Sequence, residues 1–379
     1  MVRRGLGVML LAGALAGTAR ADGPSEAGAI FLKLVPDAVS AGMGETGVAR
    51  WDNPAAVWWN PGALGFQTRI EGYYANTDLL PSFNLPDLYH RYAAAVYPVP
   101  AWGATLGGHF IYTSYGTTES RNENNNPAGT FHSYELAAAV AGGARVHPDL
   151  GVGLAFKYLG SHLSPQSTAG NKTSQGWAAD LGALYRPGWM QGLGLGATLT
   201  NIGPSLDYGI GPEKPLPQNL RLGLSCDVFA ALAGLAGANL EAEPFIMGWV
   251  VNAEFDKELV DLREDRSPRP FYQALFTAWS DDDPQNEKDG IIRHVGMEAW
   301  GKLRATPDLL LRAAVRSGTY YDILGDRNPS SQGFSLGADF STPGLDFWYR
   351  FDYAQLSAAH DNPLDKQETY GLVLGLQLK

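Results

Sequence analysis

The chain has 379 residues, of which 46 are Gly, 17 Tyr, 15 Phe and 10 Trp, and only 18% are charged, against about 25% in an average soluble domain. A net charge of -11 argues against nucleic-acid binding, which needs a basic surface. The one cysteine, Cys226, cannot close an internal disulfide, so hydrogen-bond ladders and packing must hold the fold.

Residues 1–21 read as a secretory signal: Arg3 and Arg4, an apolar stretch from Gly5 to Gly17, then Ala19-Arg20-Ala21. This is the basic, apolar and small-x-small layout of a cleaved leader, which would place the mature start near Asp22. No later window reaches the roughly 20 apolar residues that a membrane-crossing helix needs. If the mature chain enters a membrane, it must do so as a closed barrel, because only helices and barrels satisfy every backbone group in lipid.

Residues 22–65 do not alternate. They are dense in Gly, Ala, Asn and Pro and carry WDNPAAVWWNPGAL, whose Trp51, Trp58 and Trp59 call for burial. A segment of this kind ahead of the first strand is expected to form a plug or hatch in a barrel lumen.

Period-two alternation dominates 66–379. Leu345, Phe347, Tyr349, Phe351 and Tyr353 share one face, and Asp346, Trp348, Arg350 and Asp352 the other. Similar patterns run through 152–158, 220–228, 334–340 and 370–378, with Cys226 on an apolar face beside Leu222, Leu224 and Val228. One face suits lipid and the other water. The pattern predicts strands near 66–76, 89–98, 103–115, 130–144, 150–162, 174–186, 191–201, 218–229, 245–256, 290–303, 308–318, 332–341, 345–356 and 368–379.

Connections at 98–102, 147–150, 187–190, 305–307 and 342–344 are short; those at 77–88, 116–129, 163–173, 202–217, 257–289, 319–331 and 357–367 are long and polar. Only 230–244 breaks the short class. Short turns alternating with long loops over an even strand count is the organisation of an outer-membrane barrel. The expected class is therefore all-β: a transmembrane antiparallel β-barrel of about 14 strands with an N-terminal lumenal plug.

The polar faces carry Arg221, Asp227, Glu254, Glu298, Lys302, Arg312, Arg316, Asp339, Arg350 and Asp352. Both signs on neighbouring strands predict lumenal ion-pair networks that brace the wall and hold the plug.

Other constellations carry little. Gly333-Phe334-Ser335-Leu336-Gly337 spells a hydrolase elbow, but it lies inside an alternating strand and not at a strand-to-helix turn. Gly192, Gly194 and Gly196 lack the spacing and following helix of a dinucleotide loop and fit a crowded lumen. The seven histidines show no ligand spacing, and the acidic run SDDDPQNEKDG lacks the ligand spacing of a calcium loop. The expectation is a non-enzyme with no cofactor.

The run AIFLKLVPDAVSAGMGETGVARWDNPAAVWWNPGALG resembles the opening of the PorV/PorQ family, relatives of the FadL-type fatty-acid transporters. In that family a phrase like FLKIGPDAR precedes a GMG-E-x-GVA segment and an Asn-Pro motif. The matching residues are Phe31, Leu32, Pro36, Asp37, Ala38, Gly42, Met43, Gly44, Glu45, Gly47, Val48, Ala49, Asn60, Pro61 and Leu64; Val39 stands where the family usually has Arg, and Gly62-Ala63 reverses the commoner order. The resemblance implies a FadL-like outer-membrane barrel with a lumenal hatch. It implies a role in handling exported proteins in type IX secretion, with outer-membrane lipid, cargo and secretion components as partners. The alternative it leaves open is passive transport of hydrophobic small molecules.

Overall fold

The computed structural model describes residues 27–378 apart from 84, 122, 123, 125, 164–172, 210, 211, 239–242, 264, 281–289, 321–328, 359–361 and 363. The expected leader, the acidic run at 281–289 and His360 lie outside the described residues.

The chain after the plug forms fourteen strands: β1 (Ile70–Asp78), β2 (Leu88–Val99), β3 (Ala104–Arg121), β4 (Pro127–His147) and β5 (Leu150–His162). They continue with β6 (Thr173–Tyr185), β7 (Leu193–Ile202), β8 (Asn219–Asp227), β9 (Phe245–Glu258) and β10 (Ile291–Thr306). The last are β11 (Leu309–Tyr320), β12 (Ser330–Ser341), β13 (Leu345–Ser357) and β14 (Glu368–Leu378). Every strand pairs antiparallel with its sequence neighbour, and β1 closes on β14 from Ile70↔Leu376 to Asp78↔Glu368. Closure leaves no sheet edge unpaired, the condition for a sheet to cross lipid.

The alternation has its expected physical cause. On β13 Leu345, Phe347, Tyr349 and Phe351 are exposed on the outer wall while Trp348 and Asp352 are buried inside; on β5 Leu154, Phe156 and Tyr158 face out and Ala155, Lys157 and Leu159 face in. The apolar outer wall is the lipid-facing surface of an outer-membrane barrel, and the side with short turns is its periplasmic end.

Three local departures from the sequence pattern are informative. Strand β1 starts four residues later than the alternation suggested, because Pro61–Phe66 forms a 3-10 turn that belongs to the plug. Strand β8 stops at Asp227, and Val228 enters helix α3 (Val228–Ala236), which fills the turn expected to be irregular; the four-residue plug helices α1 (Ala38–Ala41) and α2 (Ala56–Trp59) precede it. The Asp227 side chain accepts from Ala230 N at 3.0 Å, the N-cap bond that starts a helix, and α3 covers Cys226 together with Leu193 and Ala231. Between β6 and β7 the register slips at Ala179/Leu181. There Asp180 accepts from Asn201 N at 2.8 Å while Asn201 sits at a left-handed φ of 58°, a β-bulge.

The plug descends from the loop end to the periplasmic end. Ala29 N donates to Tyr208 of the β7–β8 connection at 3.1 Å, and Phe31 and Leu32 pack with Leu206, Leu216, Tyr92, Ile111 and Leu159. Near the other end, Phe66 lies with Leu184, Ala49 and Ala63. A fully buried side chain of this size stabilises by about 1.5–3 kcal/mol, so Phe31, Trp59 and Leu64 account for much of the plug's attachment.

Glycines on the inner wall let the plug backbone approach. A Cβ on Gly143, Gly153 or Gly151 would lie 2.2–2.3 Å from the carbonyl oxygen of Pro61 or Gly62. One on Gly196 would meet Val48 O at 2.3 Å, and one on Gly296 would meet Met43 O at 2.2 Å. The strand glycines mark close backbone approach, not flexibility.

Candidate functional site in the barrel lumen

The motif residues of the plug form two hydrogen-bonded junctions. Asp37, wholly buried, caps α1 by accepting from Ser40 N at 3.0 Å, and also accepts from Asn53 Nδ2 at 2.9 Å and Trp59 Nε1 at 2.7 Å. Asn60, equally buried, accepts from Gly62 N at 2.9 Å and donates to Val48 O at 2.7 Å and Ala183 O at 3.0 Å, tying the plug to β6. Pro61 opens the 3-10 turn after it, where its missing N–H costs nothing.

Gly42, Met43 and Gly44 lie against Gly333, Gly296 and Gly318, and Gly44 takes a left-handed φ of 65°. Gly44 N donates to Ser331 Oγ at 2.8 Å, and its carbonyl meets His294 Nδ1 at 2.9 Å. Glu45, also left-handed at 62°, is half-buried at this turn, and Phe31 and Pro36 are buried above it.

The lumenal charges fall into four groups. Glu254 accepts from Gly47 N at 3.0 Å and Val48 N at 3.1 Å, gripping the plug backbone. Arg221 pairs with Asp256 at 2.9 Å and stacks over Trp59 at 5.0 Å. Asp227 caps α3 and accepts from Trp300 Nε1 at 2.9 Å, while Lys302 lies 4.7 Å from the same indole.

The fourth group is a continuous chain of charge. Arg50 bridges Asp52 at 2.7 Å and Glu298 at 3.1 Å. Glu298 receives Arg316 at 2.6 Å, Arg316 reaches Asp352 at 3.9 Å, and Asp352 receives Arg350 at 2.9 Å. Arg312 pairs with Asp339 beside it. The Arg50 guanidinium beside Asp52, a side chain still more than half exposed, outweighs any loss of hydration and holds its carboxyl well below the usual carboxylate range. Arg50 is correspondingly held above its ordinary value despite burial.

Arg50, Asp52, Asp256 and Asp180 are lumenal charges that the alternation pattern did not single out; Asp180 pairs at 2.8 Å with Lys157, which the pattern at 152–158 places on the polar face. Arg50 and Asp52 sit in a non-alternating segment, though a lone pair of opposite charges flanking Trp51 was a usable signal.

Two cavities border this network at the periplasmic end. One of about 240 Å³ lies among Arg50, Asp52, Glu298, Lys302, Arg316 and Arg350. The other, about 340 Å³, lies among Trp51, Phe66, Arg69, Arg145, Arg186 and Trp348. Arg186 lies in the turn after β6, where burial and then the neighbouring Arg145 push its guanidinium down to about 10, against the opposing pull of Asp52.

Ser335 is buried within β12 and donates to Asp352, so the serine of the hydrolase-like motif is one more member of the charged network. Among the described residues no group of three or more His, Cys, Asp or Glu side chains is placed to hold a metal ion.

A sequence model of one family, described as type IX secretion system protein PorV, matches residues 24–245. That span takes in the whole described plug and β1 to β8. The chain belongs to the PorV family.

Its outer-membrane location follows from that membership and the lipid-facing wall. No curated protein matches this chain. Solved structures similar to this PorV-type barrel include the Pseudomonas putida toluene transporter TodX (13% identity, 89% of this chain and 96% of that one, TM-score 0.44). Others are the Ralstonia pickettii toluene transporter TbuX (14% identity, 90% and 97%, TM-score 0.46) and a Pseudomonas aeruginosa FadL homologue (10% identity, 95% and 98%, TM-score 0.42).

Proposed function

We propose that the protein is a non-enzymatic component of type IX secretion that binds exported proteins at the cell surface through its outer loops. The observation that carries this reading is the loop between β9 and β10. Within it, helix α4 (Phe271–Thr277) buries Ala274 but presents Tyr272, 56% exposed, and Phe276, 79% exposed, followed by Trp279 at 45%. These three large aromatic residues, exposed at the loop end, form a contact surface of the composition found at interface hot spots. Family membership supports the secretion role, and the plug filling the lumen supports a task at the outer surface over passage through the bore. Cargo and secretion components are the proposed partners, with outer-membrane lipid around the wall.

The test is complementation of a deletion strain that has a type IX system, with Tyr272→Ser, Phe276→Ser and Trp279→Ser combined. Loss of cargo display with normal barrel assembly is the expected result; unchanged display would refute the reading. The other reading, passive transport of hydrophobic small molecules, predicts a hydrocarbon or fatty-acid uptake defect in the same deletion strain. The charged lining of the lumenal cavities favours secretion, since apolar solutes are held in predominantly apolar pockets.

A further inference from the structure

The periplasmic mouth holds more positive charge than bracing the plug requires. Eight arginine and lysine side chains border the two cavities against five carboxylates, in a chain of net charge -11. Most of these cations are accounted for. Arg69 and Arg312 reach Asp339, Arg350 reaches Asp352, and Arg50 and Arg316 share Glu298. Arg145 and Arg186 form no ion pair among the described residues, although both line the larger cavity.

These two arginines share one aromatic face. Their guanidinium carbons lie 4.7 and 4.9 Å from the Phe66 ring centroid, and that of Arg186 also lies 3.8 Å from the Trp51 ring. Nε of Arg186 is buried without a hydrogen-bond acceptor among the described residues. Stacking fixes the guanidinium planes and leaves their donor edges free. Two like charges held side by side in this mouth repel each other, and Asp52, which lines the same cavity and pulls on Arg186, offsets this only in part. A planar or tetrahedral oxyanion matches the donor fork of each.

We propose that Arg145 and Arg186, stacked on Phe66 and Trp51, form a binding site for a small phosphate- or carboxylate-bearing molecule that enters from the periplasm. The cavity of about 340 Å³ is at the lower end of the range for small-molecule sites and too small for a folded domain. The aromatic walls suit a ligand with an apolar portion beside its anionic group. The site is independent of the secretion reading, since it lies at the opposite end of the barrel from α4.

The shared chemistry has two sources, a soluble anion or a lipid headgroup, and one titration distinguishes them. Purified full-length protein in detergent is titrated at low ionic strength with inorganic pyrophosphate and with citrate. In parallel it is titrated with neutral micelles doped with phosphatidylglycerol. Binding of the soluble anions that weakens with salt, and falls at least tenfold in Arg145→Gln/Arg186→Gln but not in Arg91→Gln at the outer rim, supports a soluble ligand. The same loss seen only with doped micelles supports a headgroup. If the double variant does not assemble, Arg145→Gln alone, at an exposed position, is expected to lower affinity at least threefold. Wild-type affinity in the variant that is read, no binding in either arm, or tighter binding of an acidic peptide than of every small anion overturns the proposal.

Discussion

Replacing Asp37 with Ala is expected to release the plug while leaving the barrel standing. The side chain is wholly buried and accepts from Ser40 N, Asn53 Nδ2 and Trp59 Nε1 at 2.7–3.0 Å. Its removal strands three buried donors, each costing about 1–3 kcal/mol. Asn53 and Trp59 have some freedom to relax, so the combined loss is placed near the lower half of the sum, about 4 kcal/mol. At 1.4 kcal/mol per tenfold, plug opening becomes roughly 1,000-fold more frequent.

Hydrogen exchange followed by mass spectrometry reads this directly. Amides of Val48 to Trp59 are expected to exchange about three orders of magnitude faster in Asp37→Ala, with β10 to β13 unchanged. Asp37→Asn, which keeps one acceptor oxygen but turns an amide donor toward another donor, is expected to fall between the two. Plug protection in Asp37→Ala equal to the wild type would refute the view that this carboxylate holds the plug together.

Gly196→Ala puts a Cβ 2.3 Å from Val48 O, far inside contact distance, and is expected to make the plug protease-sensitive while the barrel keeps its heat-modifiable gel mobility. Arg316→Met leaves Glu298 and Asp352 short of a partner and is expected to cost about 3–5 kcal/mol, read as a lower temperature for loss of the compact gel form. Asp227→Ala removes the α3 cap and the Trp300 partner, costing about 1–3 kcal/mol; the buried Cys226 thiol beneath α3 is expected to react faster with a maleimide, and an unchanged rate would refute the covering role of α3.

The wall was legible in the sequence because two solvents act on it. A residue such as Phe351 or Asp352 tolerates only one side, so hydrocarbon and lumen impose period two on nearly every strand. Helix α3 was missed because Leu220 to Val228 carries the alternation past the true end of β8, although Asp227 ahead of an alanine-rich run is an N-cap signal. The register slip at Asn201 has no sequence signature beyond Asn, a residue that tolerates left-handed backbone.

Family motif residues such as Asp37 and Asn60 were identified by resemblance, but their roles depend on partners brought together by folding: Ala183 is 123 positions from Asn60. The link from Arg50 to Glu298 spans 248 positions. Arg145 and Arg186 sit at strand ends, where a charge ordinarily meets only water, so nothing local marked them as neighbours across Phe66.

The bare stretches of inner wall at Gly143, Gly153, Gly196 and Gly296 bear on biogenesis. A sheet closed without its inner segment would leave main chain uncovered at these positions, with wall side chains such as Tyr92 and Trp348 facing a hollow that the plug now fills. The interior is thus cast around the first forty residues of the described chain. Closure of β1 onto β14 and seating of that segment are expected to be coupled during assembly, with the seated segment sealing the pore and its later release leaving the closed wall in place.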